Sequence, residues 1–129
     1  MSTRTTDTAA PLTFDRFWRW LGEHPNCIVR AGGYDTALFD HEDFHWDFLE
    51  EEDGRAVVQL IRGKGLVGEL VIDRREVLFV QAAPDVEDAA RGFWLFECIG
   101  GPKDDTYSVC HFLISHGMEQ SVSHQMLKH

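Results

Sequence analysis

Residues 44–61, FHWDFLEEEDGRAVVQLI, decide the fold of this chain. Aromatic side chains at every second position from Phe44 to Phe48 are typical of a strand with one buried face, and a second, mostly apolar run follows Arg55. Asp53-Gly54 between the two runs indicates a tight turn whose central residues have positive φ. The stretch therefore predicts two antiparallel strands joined by a hairpin.

Turn signals on both sides of this hairpin divide the rest of the chain into further short strands. They occupy residues 32–35, 63–65, 73–76 and 100–105. The predicted strands are 27–31, 36–39, 44–49, 55–61, 66–72, 77–82, 93–99 and 106–115. We therefore expect an α+β fold on an antiparallel meander sheet of six to eight strands. Four strands are apolar on both faces, which favours a covering layer or a sheet that curls towards a barrel.

An N-terminal helix is predicted over residues 13–21. Its apolar residues from Phe14 to Leu21 fall at i, i+3, i+4 and i+7, which places them on one face. Thr13 is a favourable N-cap and Gly22 a favourable end. We expect this face to pack on the sheet. Shorter helical segments are predicted near 84–91 and 118–127.

Length and composition indicate one domain without a membrane-spanning segment. The 129 residues are 43% hydrophobic, which fits a single packed domain over 13–129 after a disordered tail over 1–12. No apolar run is long enough to span a bilayer. Cys27, Cys98 and Cys110 have no CxxC spacing, which favours buried, reduced thiols and a cytoplasmic location. A Cys98–Cys110 disulfide across neighbouring strands is the alternative.

The net charge of −10 comes almost entirely from one acidic segment. From Asp35 to Asp53 there are nine acidic residues and no Lys or Arg. Such a surface repels phosphate backbones, which argues against nucleic-acid binding, and it attracts basic protein surfaces. The predicted partner-binding residues combine these acids with aromatic anchors: Tyr34, Asp40, Glu42, Asp43, Trp46 and Asp47. An acidic surface that only keeps the protein soluble is the alternative.

Residues 41–45, HEDFH, match the H-E-x-x-H pattern of zinc hydrolases. On a helix, His41 and His45 would share a face and bind zinc, and Glu42 could act as the general base. The predicted strand from Phe44 argues against this arrangement, because strand residues four positions apart are separated by about 13 Å. We expect no metal here and keep a zinc-dependent hydrolase as the alternative.

Five polar residues interrupt the apolar strands: Gln59, Glu69, Gln81, Glu97 and His111. On a shared face they would form a polar row across the sheet. An exposed face with ordinary alternation is the simpler interpretation. A small-molecule pocket that uses Glu69, Glu97 and His111 is the alternative, since buried carboxylates need partners.

No motif in the chain indicates a cofactor or a nucleophilic centre. Phosphate-binding loops, nucleophile elbows and dinucleotide fingerprints are absent, and Cys110 and His111 point to opposite faces of one strand. We therefore favour a non-enzymatic protein without a cofactor. The expected function is docking of a basic protein partner by an inhibitor-like, immunity-like, adaptor or chaperone-like domain, with no membrane involvement. A homodimer is also expected, because a meander leaves two edge strands.

Overall fold

The computed structural model describes residues 10–118, in one α-helix, eight strands and three short 3₁₀-helices. The helix and strands are α1 Phe14–Gly22, β1 Ile28–Gly32, β2 Ala37–Phe39, β3 Phe44–Glu50, β4 Arg55–Arg62, β5 Gly65–Asp73, β6 Phe79–Pro84, β7 Trp94–Gly100 and β8 Tyr107–Ile114. The 3₁₀-helices are Pro25–Cys27, Arg74–Glu76 and Val86–Arg91, and the last of them coincides with the helical segment predicted near 84–91. The helix predicted near 118–127 and most of the predicted tail lie outside the described residues. No helix within residues 10–118 combines the length and the apolarity needed to cross a bilayer.

The strands form two antiparallel sheets. The five-stranded sheet has the order β2-β1-β8-β7-β6, and the three-stranded sheet has the order β3-β4-β5. The predicted α+β class, the antiparallel strands and the N-terminal helix are confirmed. The strands do not form one continuous meander, because β8 returns to pair with β1 while β3, β4 and β5 pair only with one another. Neither sheet closes into a barrel.

Helix α1 contacts both sheets, and Thr13 is its N-cap as predicted. Thr13 Oγ1 accepts a hydrogen bond of 3.2 Å from the Arg16 amide, which would otherwise lack an intrahelical partner. Trp20 is buried together with the predicted apolar residues, so the buried face is wider than expected. Upstream of the helix, Leu12 exchanges two backbone hydrogen bonds of 2.8 Å with Val80. Leu12 therefore has a buried place in the core, although it falls inside the segment predicted as tail.

Aromatic contacts join the helix to both sheets. The Phe17 ring lies 5.2 Å from the Phe96 ring on β7 and 5.5 Å from the Phe112 ring on β8. One residue along the helix, the Trp18 ring meets the Phe48 ring of β3 edge-on at 5.6 Å. Both sheets therefore contribute buried side chains to one core, and the helix contacts each of them.

The hairpin between β3 and β4 differs in one detail from the predicted turn. Gly54 has a φ of 91°, but Asp53 does not have a positive φ. The Glu51 amide donates to the Arg55 carbonyl at 2.8 Å, which makes a three-residue loop that ends in a left-handed glycine. Asp53 instead uses its side chain, which accepts a hydrogen bond of 3.1 Å from the Arg55 amide.

Candidate functional site

The structure distributes the acidic segment over several surfaces. Asp40, Glu42 and Asp43 are exposed in the connection between β2 and β3. Asp47 is exposed on the outer side of β3, whereas the Glu50 carboxylate accepts a hydrogen bond of 3.1 Å from the Trp18 indole. The predicted partner-binding residues therefore do not share one compact patch.

Trp46 lies in the core and is not part of the exposed acidic surface. Its side chain is 6% exposed and lies on the inner face of β3, opposite Leu60 of β4. The indole nitrogen donates a hydrogen bond of 3.2 Å to Asp40 Oδ1. The alternation that predicted the strand also explains this position, because the aromatic residues of β3 are the ones that face inward.

The outer face of the three-stranded sheet carries an acidic row beside an apolar row. Register places Asp47, Gln59 and Glu69 side by side across β3, β4 and β5. The neighbouring positions on the same face form the apolar row: Leu49, Val57 and Val71. Val57, the central residue of this row, is only 2% exposed. Leu66 and Val67 at the start of β5 add further exposed apolar surface.

A cleft of about 300 Å³ opens where β5 meets the turn between β1 and β2. Its walls carry four carboxylates and one tyrosine, and we call it the acidic cleft: Tyr34, Asp35, Glu69, Asp73 and Glu76. Tyr34 is 76% exposed at its rim. Glu69 belongs to both the acidic cleft and the acidic row, so the two form one continuous surface.

Two carboxylates of the acidic cleft already have strong partners. Arg75 donates hydrogen bonds of 3.1 Å from Nε and Nη2 to Asp73, and this contact holds the pKa of Asp73 below its ordinary value. The Tyr107 hydroxyl donates a hydrogen bond of 2.8 Å to Glu76, and this bond raises the pKa of Tyr107. The Tyr107 contact therefore holds Glu76 against β8, and the Arg75 contact partly neutralises Asp73.

The other two carboxylates have neutral partners. Asp35 accepts a hydrogen bond of 3.2 Å from the Thr36 hydroxyl, and Glu69 accepts one of 3.1 Å from the Gln59 amide. Within residues 10–118, neither carboxylate takes part in a salt bridge. Asp35 and Glu69 therefore present negative charge that a cationic ligand could neutralise.

Close backbone approach brings the walls of the cleft together. A Cβ atom on Gly33 would lie 2.9 Å from Leu70 Cδ1, and one on Gly68 would lie 2.7 Å from Leu38 Cδ2. These glycines let β5 pack against the β1–β2 hairpin of the other sheet. Sequence reasoning did not group Asp35 with Glu69 and Glu76, because only this contact between sheets makes them neighbours.

No protein-family model, curated protein or solved structure matches this chain. We therefore infer function from the surfaces of the folded chain alone.

The HEDFH segment is not helical. Phe44 begins β3, so His45 lies on a strand, while His41 precedes a turn in which its Nδ1 accepts a hydrogen bond of 3.1 Å from the Asp43 amide. The predicted strand is confirmed. Residues 10–118 contain no group of three or more His, Cys, Asp or Glu placed to hold a metal ion. His41 and His45 with Glu42 therefore lack the helical geometry on which the zinc-hydrolase alternative depends.

The five polar strand residues fall on two different sheets. Gln59 and Glu69 pair on the three-stranded sheet. Register places Gln81, Glu97 and His111 side by side on the five-stranded sheet, where the Gln81 amide lies 3.5 Å from a Glu97 oxygen. A single row is therefore wrong, and Glu69 does not share a strand pair or a sheet with Glu97 and His111.

His111 is half-buried above a glycine. A Cβ atom on Gly32 would lie 2.8 Å from both Cε1 and Nε2 of the His111 ring, so the missing side chain leaves room for the imidazole. Burial lowers the pKa of His111 from its ordinary value of 6.5, and the positive charge of Arg30 lowers it further. Glu97 acts in the opposite direction.

We expect His111 to make the fold less stable in mild acid. Its pKa is lower in the folded chain, so the unfolded chain binds more protons between that lowered value and 6.5. The contribution of neutral His111 to the free energy of unfolding is therefore complete above pH 6.5 and decreases as the pH falls through this window. Urea unfolding at pH 7.5 and at about pH 5.5 should show a smaller loss of stability for His111→Gln than for the unsubstituted chain. Equal losses in the two proteins would contradict this assignment.

Proposed function

We propose that this chain is a protein-binding domain that receives a basic partner in the acidic cleft and on the adjoining outer face of the three-stranded sheet. The observation that carries the proposal is the cleft itself, in which Asp35 and Glu69 have no salt bridge within residues 10–118 and lie beside the exposed ring of Tyr34. An inhibitor-like, immunity-like, adaptor or chaperone-like role suits such a surface. This role extends the docking function expected from the acidic segment.

Charge and shape favour an arginine or lysine side chain as the group that enters the cleft. A guanidinium group donates to carboxylates in a fixed fork, and hydrogen bonds between charged groups are about twice as strong as neutral ones. At Asp35 and Glu69 the incoming cation would replace the neutral donors Thr36 and Gln59. A volume of about 300 Å³ suits one such side chain better than a large ligand.

Apolar area beside the cleft supplies the remaining binding energy. Tyr34 offers a large exposed ring, and tyrosine is enriched among the residues that dominate binding. Leu49, Leu66 and Val71 are exposed on the outer face, and buried apolar surface contributes about 25 cal/mol per Å². A partner that combines basic and aliphatic side chains therefore matches this surface.

The acids of the β2–β3 connection act at longer range. Asp40, Glu42 and Asp43 do not line the acidic cleft, but their charge adds to the field that attracts a basic surface. This field decays over about 8 Å at physiological ionic strength. We expect these three residues to affect the association rate and the acidic cleft to affect the dissociation rate.

The double variant Asp35→Lys/Glu69→Lys tests the proposal. It should reduce affinity for a basic partner by about tenfold or more, since it places two positive charges where the cation binds. A synthetic peptide rich in arginine and leucine serves as the first probe, and NMR shifts of the wild-type amides locate its contacts. Proteins captured from a lysate by the unsubstituted chain provide the second measurement.

Glu23→Lys/Glu87→Lys is the matched control. Both double variants replace two acids with two lysines and therefore change the net charge by the same amount, but Glu23 and Glu87 lie away from the cleft. The control should retain peptide binding and capture. Equal losses in the two variants would show that only net charge matters, and the cleft would then have no specific role.

The expected homodimer and the cytoplasmic location stay predictions. Each sheet has two edge strands, namely β2 and β6 in one and β3 and β5 in the other. Such edges can pair with a second chain. Light scattering on the purified chain over a range of concentrations measures the oligomeric state directly.

A further inference from the structure

Cys27 and His116 form a thiol–imidazole pair beside the start of β1. Cys27 Sγ lies 3.1 Å from His116 Nε2, although the residues are 89 positions apart in the chain. They meet because β1 pairs with β8, and the Ser115 amide donates a hydrogen bond of 2.9 Å to the Cys27 carbonyl. Backbone pairing between β1 and β8 therefore places Cys27 and His116 next to each other.

The neighbouring carbonyl sets the tautomer of His116. Nδ1 lies 3.1 Å from the Gly117 carbonyl oxygen, and a carbonyl oxygen only accepts hydrogen bonds. Nδ1 therefore carries the hydrogen, and Nε2 of the neutral ring is left as the acceptor that faces the thiol. This is the arrangement in which an imidazole can remove a proton from a cysteine.

Two aromatic side chains hold the His116 ring in place. The His24 ring lies 5.4 Å from it at 70°, and the Trp20 ring lies 5.7 Å from it at 82°. His24 is itself fixed, because its Nδ1 is 2.7 Å from the Trp20 carbonyl oxygen. The imidazole is thus oriented towards Cys27, whose side chain remains partly exposed rather than buried as the sequence indicated.

The other two cysteines are protected. Cys98 and Cys110 are register partners on the inner face of the five-stranded sheet, with exposed fractions of 0% and 1%. They are free thiols and not the disulfide considered from the sequence. The Cys98 thiol donates a hydrogen bond to Cys110, and this bond together with burial raises the pKa of Cys98, which disfavours its reactive thiolate.

We propose that Cys27 and His116 form a nucleophilic pair at which Cys27 reacts selectively with hydroperoxides. His116 Nε2 takes the thiol proton, and the thiolate attacks one peroxide oxygen. The S–O bond forms as the O–O bond breaks, and the imidazolium returns its proton to the departing oxygen as water or an alcohol. Sulfur is oxidised to sulfenic acid by two electrons, and the peroxide is reduced by the same two. This site is independent of the acidic cleft.

Intact-protein mass spectrometry with hydrogen peroxide and dimedone, a reagent for sulfenic acids, tests the proposal. The folded chain should gain one dimedone adduct, which peptide mapping places at Cys27, and Cys27→Ser should gain none. In denaturant all three thiols become accessible to iodoacetamide, so the number of adducts formed there is the reference for the number formed in the folded chain. Modification of Cys98 or Cys110 as fast as Cys27 in the folded unsubstituted chain would overturn the proposal, whatever the behaviour of the variants.

His116→Gln separates proton transfer from packing. Glutamine can occupy the site and form hydrogen bonds, but it cannot accept the thiol proton, so the rate of Cys27 oxidation should fall by about tenfold or more. His45→Gln is the matched control, because His45 is an exposed histidine on β3 of the other sheet. An unchanged rate in His116→Gln, with one adduct still formed, would refute the role of the imidazole.

Discussion

Phe17→Ala should lower the free energy of unfolding by about 3–5 kcal/mol, the usual cost of removing a buried aromatic ring. Phe17 has no exposed surface, and its ring contacts those of Phe96, Phe112 and Trp20 at 5.2, 5.5 and 6.3 Å. The variant therefore leaves a cavity where α1 meets the five-stranded sheet. A domain of this size has a total stability of about 5–15 kcal/mol, so a large part of it would be lost.

Urea unfolding followed by tryptophan fluorescence measures this loss. The matched control is Phe39→Ala, because Phe39 is 61% exposed at the end of β2. Exposed substitutions usually change stability by no more than about 0.5 kcal/mol. Similar midpoints for the two variants would show that α1 does not pack on the sheet as described.

Gly100→Ala should destabilise the fold by about 1–3 kcal/mol, the typical cost of overpacking. A Cβ atom on Gly100 would collide with the Glu76 carbonyl oxygen, and it would also lie 3.0 Å from Val109 Cγ2. The first obstacle is backbone and cannot rotate away, so β7 and the 3₁₀-helix Arg74–Glu76 have to move apart. Because Glu76 lines the acidic cleft, we expect the same variant to bind a basic peptide more weakly.

Gly22→Ala is the control for this substitution. A Cβ atom on Gly22, the last residue of α1, has no heavy atom within 4 Å, and the residue does not have a positive φ. Its replacement should leave stability unchanged or raise it by about 0.4–1 kcal/mol through the unfolded chain. A Gly100→Ala variant as stable as Gly22→Ala would show that β7 and the 3₁₀-helix Arg74–Glu76 can move apart without lowering the free energy of unfolding.

Local sequence patterns predicted the helix and the strands well, whereas they could not predict the contacts between segments that are distant in the chain. The 3.6-residue and 2-residue periodicities located α1 and the strands, because each depends on residues a few positions apart. The division into two sheets depends on β8 pairing with β1, and sequence carries no local signal for that register. A single meander was therefore the natural expectation.

The same distinction explains the outcome for the candidate sites. Trp46 was recognised as part of a strand whose aromatic residues alternate, and that alternation places its side chain in the core and not on the exposed surface where it was expected. Asp35 and Glu69 were recognised as acidic, yet their meeting depends on the approach at Gly33 and Gly68. Cys27 and His116 had no signal at all, since their contact follows from a pairing that spans 89 residues.

The central place of β8 in the five-stranded sheet governs how a newly made chain can reach its final form. Ribosomes release β1 and β2 first and β7 late, and the strand that joins them emerges only afterwards. Until β8 emerges, β1 of the β1–β2 hairpin and β7 of the β6–β7 pair each expose an unpaired edge. Such edges are the kind of surface that chaperones cover. The β3–β5 unit has only neighbouring pairings and can close before β8 emerges.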